Sequence, residues 1–458
     1  MHRELCPVET LYVGQRSRAV LSCTLRGQVD VKALSAAFDA LTQAHPTLRA
    51  RIAQDGQGFA LHLLSEEERP RLVTRTGGEE AYAAELNAPL PVGGPLSRAV
   101  LVSAPEGDRH LFVLVVDHTV TDGHSGIAAH NALWDHYRAL VGGGTDEGTA
   151  AAPAPAAAPA DDRVHAAEPP HWPRPVSLLL PEADPAATAA HLERRVEEVR
   201  RHPVQLVPYD VPRPAAGDAG PDPEPAGGGG HIESRRLTLD EEHTARLRRT
   251  AREADLSVHS LVAAALLTAA RRRLEGDGPR TLGCLSPVDL RSRLSPPLPA
   301  TVMVPAVTSH LQTVDVAGDS DPAELARTVH TRLRDSIARA DQDHEMRIMP
   351  EIPRNPALQM ATVIVTNMGV VPGPRLPAGL HATDVRLVPA REHYFPQAGR
   401  SPLMACVVSF EGRLAIEFPH FTACFSPSFM RAFRDDVLAG LHAFADAATP
   451  LPAPANAR

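Results

Sequence analysis

The chain lacks any close pair of cysteines. Cys6, Cys23, Cys284, Cys406 and Cys424 are far apart and form no C-x-x-C motif, so neither a zinc site nor a redox pair is indicated, and reduced thiols in a cytosol are expected. It also lacks a basic block: the formal net charge of −9 is spread along the sequence, and nucleic-acid binding has no support. No apolar run is long enough to span a bilayer, and the opening Met1-His2-Arg3-Glu4-Leu5-Cys6-Pro7 contains no apolar signal segment. The glycine run that ends at Gly230 is not followed by Lys-Ser or Lys-Thr, which argues against a phosphate-binding loop. These absences predict a soluble, cytoplasmic protein with no metal, membrane or nucleic-acid partner.

What is present is length. A chain of 458 residues exceeds one ordinary core, and two domains of roughly 200 residues each are expected. The stretch from Gly142 to Pro175 is almost entirely Gly, Ala, Pro and Asp and reads as an interdomain linker. Pro212 to Gly230, rich in Pro, Gly and acids, reads as a mobile loop. The predicted halves are therefore residues 1–175 and 176–458.

Each half mixes helix and strand. In the first, Val20 to Leu25, Ala99 to Val102 and Leu111 to Val116 read as strands. Asp30 can cap a helix with Val31, Leu34, Phe38 and Leu41 along one face. A second helix from about Ser125 would turn Ile127, Leu133, Trp134, Tyr137 and Leu140 inward. In the second half, Thr238 and Glu241 suggest a capping box for a helix ending near Ala254. Val258 to Leu274 reads as a helix burying Leu261, Val262, Leu266 and Ala269. Thr281 to Pro287 and Ala361 to Thr366 read as strands. Asp321-Pro322-Ala323-Glu324 is a helix start. Leu403 to Phe410 and Leu414 to Phe418 read as a hairpin about Glu411-Gly412-Arg413, and Ser426-Pro427 starts a last helix.

The chemistry concentrates at Asp117-His118-Thr119-Val120-Thr121-Asp122-Gly123. An apolar strand stops at a histidine, and a helix begins a few residues later. Such a ring is held by the strand end while its tip can face a cavity, and its ordinary pKa suits proton transfer near neutrality. Other readings compete. His118 can be a core histidine with Asp122 as a helix cap. Gly123-His124-Ser125-Gly126 partly matches the nucleophile elbow G-x-S-x-G, but Ile127 stands at the second glycine and the strand ends too early for Ser125. A metal site of His118, Asp122 and His124 lacks a usual ligand spacing. His259, His310, His344, His393 and His420 show no mutual spacing that suggests a site.

The order of pieces resembles the condensation-domain superfamily of acyltransferases, whose signature is H-H-x-x-x-D-G. Asp30 to Ile52, with His45-Pro46 and Leu48-Arg49, looks like the family's first helix and its ending. Val258 to Leu274 looks like the alanine-rich helix opening the second half. Ser286-Pro287-Val288-Asp289-Leu290-Arg291 resembles the P-V-D-L-R segment of the ester-forming branch, which includes phthiocerol dimycocerosyl transferases and alcohol acyltransferases. Val365-Thr366-Asn367-Met368-Gly369 resembles the later S-N-x-G strand end.

The resemblance implies an α/β fold of two chloramphenicol acetyltransferase-like subdomains. Each is a mixed sheet with flanking helices, and together they form a V with a central tunnel. His118 matches the motif's general base. Asp122 matches the aspartate that pairs with an arginine, for which Arg291 is the candidate. Gly123 leaves room for close backbone approach. Asp117 departs from the family's first histidine, a mostly structural position. Thr121, Ser125 and Asn367 are candidate substrate-binding residues, or turn and helix caps. The implied activity is transfer of an acyl group to an alcohol or amine, with ester formation favoured. The donor would be a thioester on coenzyme A or on the phosphopantetheine arm of an acyl or peptidyl carrier protein. No permanently bound cofactor is expected. A non-catalytic, carrier-docking module and a cyclisation or elimination enzyme remain as alternatives.

Overall fold

The structure, a computed structural model, describes residues 2–56, 58–78, 80–142, 172–212, 230–391 and 400–446. The linker and loop readings fall largely on residues 143–171 and 213–229, which lie outside them.

The apolar run before His118 is the strand Arg109–Asp117, buried on both faces. Phe112, Leu114 and Val116 pack into one core with Phe38, Leu41, Leu133 and Trp134, while Val113 and Val115 pack into a second with Tyr82 and Leu86. This two-sided burial is why the run is continuously apolar instead of alternating. It sits between Ser17–Arg26 and Ser97–Ser103 in a five-stranded sheet. The helices Val31–Ala44 and Gly123–Val141 cover one face. Asp30 caps the first of them, accepting from the N–H groups of Lys32 and Ala33.

The second sheet has six strands, with Arg280–Asp289, Val363–Val370, Leu403–Phe410 and Arg413–Phe421 as consecutive neighbours in it. Helices Glu241–Glu253, Val258–Arg271, Pro322–Ala338 and Pro427–Ala445 contribute side chains to the core on it, in which Leu261, Val262, Leu266, Phe418 and Phe433 are buried. The hairpin and the proline-led helix starts lie where the sequence puts them.

Two elements stitch the halves together. The strand His381–Arg391 belongs by sequence to the second half, yet it pairs antiparallel with Ser17–Arg26 along its whole length and forms the edge of the first sheet. The short N-terminal helix Pro7–Gln15 packs in the opposite sense: Val8 and Tyr12 share a core with Leu290, Val304, Ala306 and Met346.

Some local readings change. Val31 and Leu140 are 43% and 52% exposed; each stands at the end of its helix, beyond the packed stripe. The helix after the motif begins at Gly123, with Asp122 as its cap, two residues before the sequence estimate. Helix Glu241–Glu253 is capped by Asp240, because Thr238 is taken up by the strand Ile232–Leu239. The next helix ends at Arg271, short of Leu274.

Candidate active site

Asp117 ends the motif strand and turns the chain. Its Oδ1 accepts the N–H of Thr119 at 2.8 Å, a short side-chain turn of the kind aspartate favours. Burial raises its pKa, while the Thr119 hydrogen bonds and the charges of Arg16 and Arg18 oppose that rise. His118 follows, its N–H donating to the Ser17 carbonyl at 2.8 Å. The backbone of the catalytic candidate is thus locked by the neighbouring strand, and only its ring torsions remain to be fixed.

Tyr12 fixes the ring. Its phenol stacks on the imidazole, with centroids 4.7 Å apart and planes 1° from parallel. Burial pushes the Tyr12 hydroxyl up to about 12, so it stays neutral. His118 Nδ1 is buried and has no hydrogen-bond partner of ordinary geometry; Nε2 is therefore the nitrogen that can meet a substrate. The ring is half-buried, and it lines a cavity, so it is desolvated even where it has free surface. Its pKa is lowered first by that desolvation and then by the Arg391 charge; the backbone near His118 and Thr121, and the Asp122 carboxylate, partly offset this. Burial and the Arg391 charge both favour the neutral imidazole over the imidazolium.

The cavity measures about 250 Å³ and takes its walls from both halves of the sequence. Tyr12, Ala19, His118, Gly123 and His124 come from the first, and Leu285, Val307, Met349, Met360, Ile364 and Met404 from the second. Leu387, Pro389 and Arg391 come from the stitching strand. The surface is mostly apolar side chain, with methionines that adapt to irregular shapes.

Asp122 is at the cavity wall but only 2% exposed. Arg291, 4% exposed, donates to its Oδ2 from both Nη2 (2.8 Å) and Nε (3.0 Å). The Ala306 N–H also reaches Oδ2, at 2.9 Å, and the Ser125 N–H reaches Oδ1 at 2.8 Å. Nη1 of Arg291 donates to the Pro299 carbonyl, and Nη2 shares its hydrogens between Asp122 and the carbonyls of Val302 and Val304. With both oxygens engaged, Asp122 serves as a cross-chain joint. It cannot join His118 and His124 around a metal without breaking that joint.

Thr121 and Ser125 are sealed at 0% exposure. Their hydroxyls share a 3.0 Å hydrogen bond, and Ser125 Oγ accepts from the Asp122 N–H. Neither lines the cavity, so the substrate-binding expectation gives way to helix capping, and Ser125 is no exposed nucleophile. Asn367 does line the cavity, but its Oδ1 accepts the Gly369 N–H at 2.8 Å, closing its own turn. Gly123 leaves room for a side chain instead of a backbone: a Cβ there would lie 2.6 Å from Met368 Sδ.

Sequence reasoning missed Tyr12, Arg391 and Met368. Tyr12 carried no local signal, since its contact with His118 spans more than a hundred residues. Arg391 was hidden because nothing marked its strand as part of the first sheet.

Comparisons with known proteins bear on the fold and the family. Residues 228–419 match the family described as phthiocerol/phthiodiolone dimycocerosyl transferase C-terminus. A phthiocerol/phthiodiolone dimycocerosyl transferase from Mycobacterium leprae is 25% identical over 424 residues, covering 91% of each chain. Polyketide synthase associated protein 5 from Mycobacterium tuberculosis shares the fold with a TM-score of 0.69 and 21% identity, over 97% of this chain and 98% of that one. The first condensation domain of the calcium-dependent antibiotic synthetase aligns with a TM-score of 0.66 and 17% identity, over 98% of both chains.

Proposed function

We propose that this chain, an acyltransferase of the condensation-domain superfamily with the chloramphenicol acetyltransferase-like fold, moves an acyl group from a thioester to the hydroxyl of a small acceptor. The donor thioester is carried on the phosphopantetheine arm of an acyl or peptidyl carrier protein, or on coenzyme A. An amine is the alternative acceptor. Residues 1–175 and 176–458 act as two subdomains, and the cavity between them is the meeting point of a tunnel that admits donor and acceptor.

One observation carries the reading: the His118 ring, biased toward its neutral form and stacked on Tyr12, faces a cavity built from both halves. A thioester is already activated, so no covalent enzyme intermediate is needed. The acceptor oxygen attacks the thioester carbonyl as Nε2 of His118 takes its proton. The tetrahedral adduct then collapses, the C–S bond breaks, and the imidazolium returns the proton to the departing thiolate. The products are an ester and a free thiol. Positioning lowers the barrier by up to roughly 7–11 kcal/mol, and a placed base contributes about 10²–10⁴ in rate. The name of the mycobacterial relative, a transferase of a dimycocerosyl group, supports acyl transfer as the reaction class.

The test is product formation, read by mass, from candidate acyl thioesters and acceptors with wild type and His118→Ala. The variant should keep its melting temperature and lose about 10²–10⁴ in turnover. Equal rates would remove His118 as the base. Running each acyl group on a carrier protein and on coenzyme A separates the two donors, and product identity separates ester, amide and cyclised outcomes.

A further inference from the structure

Away from the cavity, two helix ends bring three metal-ligating side chains together. Asp240 caps the helix Glu241–Glu253, and its Oδ1 accepts the N–H of His243 at 2.8 Å. The same oxygen lies 2.8 Å from His243 Nδ1, so that nitrogen carries the proton and Nε2 keeps its lone pair. His442 lies in the last turn of the helix Pro427–Ala445, and Asp446 is that helix's C-cap. The four-residue step from His442 to Asp446 puts both on one helical face. The His243 and His442 rings pack 4.4 Å apart, with 63° between their planes. One ligand atom from each of His243, His442 and Asp446 lies within 4.8 Å of the other two, and this is the only such group found among the described residues.

We propose that His243, His442 and Asp446 form a binding site for a divalent transition metal, with zinc the best fit, and that Asp240 orients His243 from behind. Two imidazoles and one carboxylate are a zinc-type donor set, with water completing a tetrahedron. A carboxylate on the far nitrogen of a ligating histidine sets its tautomer and strengthens it as a ligand. Zn–N bonds of about 2.0–2.1 Å require the three donors to draw inward. Asp446 is exposed and can do so once it leaves Arg246, now 3.3 Å away. An aspartate at a helix C-terminus faces the negative end of the helix dipole and calls for a cation, a place that Arg246 takes and would yield to the ion. The bound metal would fasten the first turn of one helix to the last turn of the other.

The experiment uses the full chain, prepared without a polyhistidine tag and stripped with chelator. It is titrated with Zn²⁺ by calorimetry and with Co²⁺ by visible absorption. One ion should bind per chain, the melting temperature should rise, and cobalt should give the intense bands of a tetrahedral site. His243→Gln and His442→Gln should each weaken binding by at least about tenfold. Asp240→Asn, which keeps a competent cap, should weaken it by about 10–100-fold. His231→Gln, an exposed histidine beside Glu233, should change nothing. If a histidine variant fails to fold, the exposed Asp446→Asn supplies the same readout. The proposal is overturned if no ion binds, if affinity is unchanged in the site variants, or if His231→Gln lowers it equally.

Discussion

Arg291 grips Asp122 across 169 residues of sequence, with a 2.8 Å hydrogen bond from Nη2 to Oδ2 and a second donor, Nε, on the same oxygen. Both partners are buried, so the interaction is worth most when either one is removed alone. Arg291→Ala strands a carboxylate in the seam, and Asp122→Leu strands a guanidinium. Each should lower stability by roughly 3–5 kcal/mol. Arg291→Lys should not rescue, because one ammonium cannot reach Asp122 and the carbonyls of Pro299, Val302 and Val304 together. Chemical denaturation measures all three variants. An Arg291→Ala protein as stable as wild type would refute the joint.

The acid limb of activity follows from the depressed His118 pKa. A base must be unprotonated, so kcat/KM should hold below pH 6.5, the ring's ordinary value, and fall only as pH drops through the lowered one. Burial is the larger cause and the Arg391 charge the second. Arg391→Gln should therefore move the limb upward without carrying it past the ordinary value. A pH–rate profile of the variant that stayed in place, or moved to lower pH, would contradict this.

If His118 is the base, Tyr12, stacked on its ring, acts through it as a positioning residue. Tyr12→Phe keeps the stacked face and should leave kcat near wild type. Tyr12→Leu loses the flat shelf, and misorientation of the ring should lower kcat by up to about 10²-fold, with KM changing much less. A loss confined to KM, or an equal loss in the phenylalanine variant, would point instead to the hydroxyl or to substrate contact.

Acid sensitivity of the fold has a different source. His130, His259 and His310 are each held down to about 4 by burial. In the unfolded chain they titrate near 6.5, so between those values the unfolded state binds more protons. Stability from these groups is complete above about pH 6.5 and declines as pH falls toward 4, by roughly 1.4 kcal/mol per unit of pKa difference for each. Neutral His130 accepts from Trp134 Nε1 at 3.3 Å, a bond that a proton on Nε2 would destroy. Denaturation midpoints against pH should show the decline, and His130→Gln should flatten it.

The elements that could be read from sequence are those whose instructions are local. Asp30, Asp321-Pro322 and Ser426-Pro427 mark helix starts because a cap acts within three residues. The run Leu111 to Val116 marks a strand because it is buried on both faces. The motif was enough to place His118, Asp122 and Gly123 at one cavity wall, and a second segment was enough to pair Arg291 with Asp122. What could not be read depends on chain segments meeting far from their sequence neighbours. The helix Pro7–Gln15 has no clear apolar stripe and owes its place to Leu290 and Val304. The sequence left the Thr121 and Ser125 hydroxyls open between substrate and cap, because only their mutual hydrogen bond and burial decide which they serve.

The strand His381–Arg391 also sets when, during synthesis, the first sheet can be completed. Until residue 391 has emerged, Ser17–Arg26 remains a naked edge, a template for any extended segment nearby. The first sheet therefore waits for most of translation before it can close. A fragment stopped short of residue 381 would keep that edge open, the condition in which an unpaired strand invites pairing with another chain.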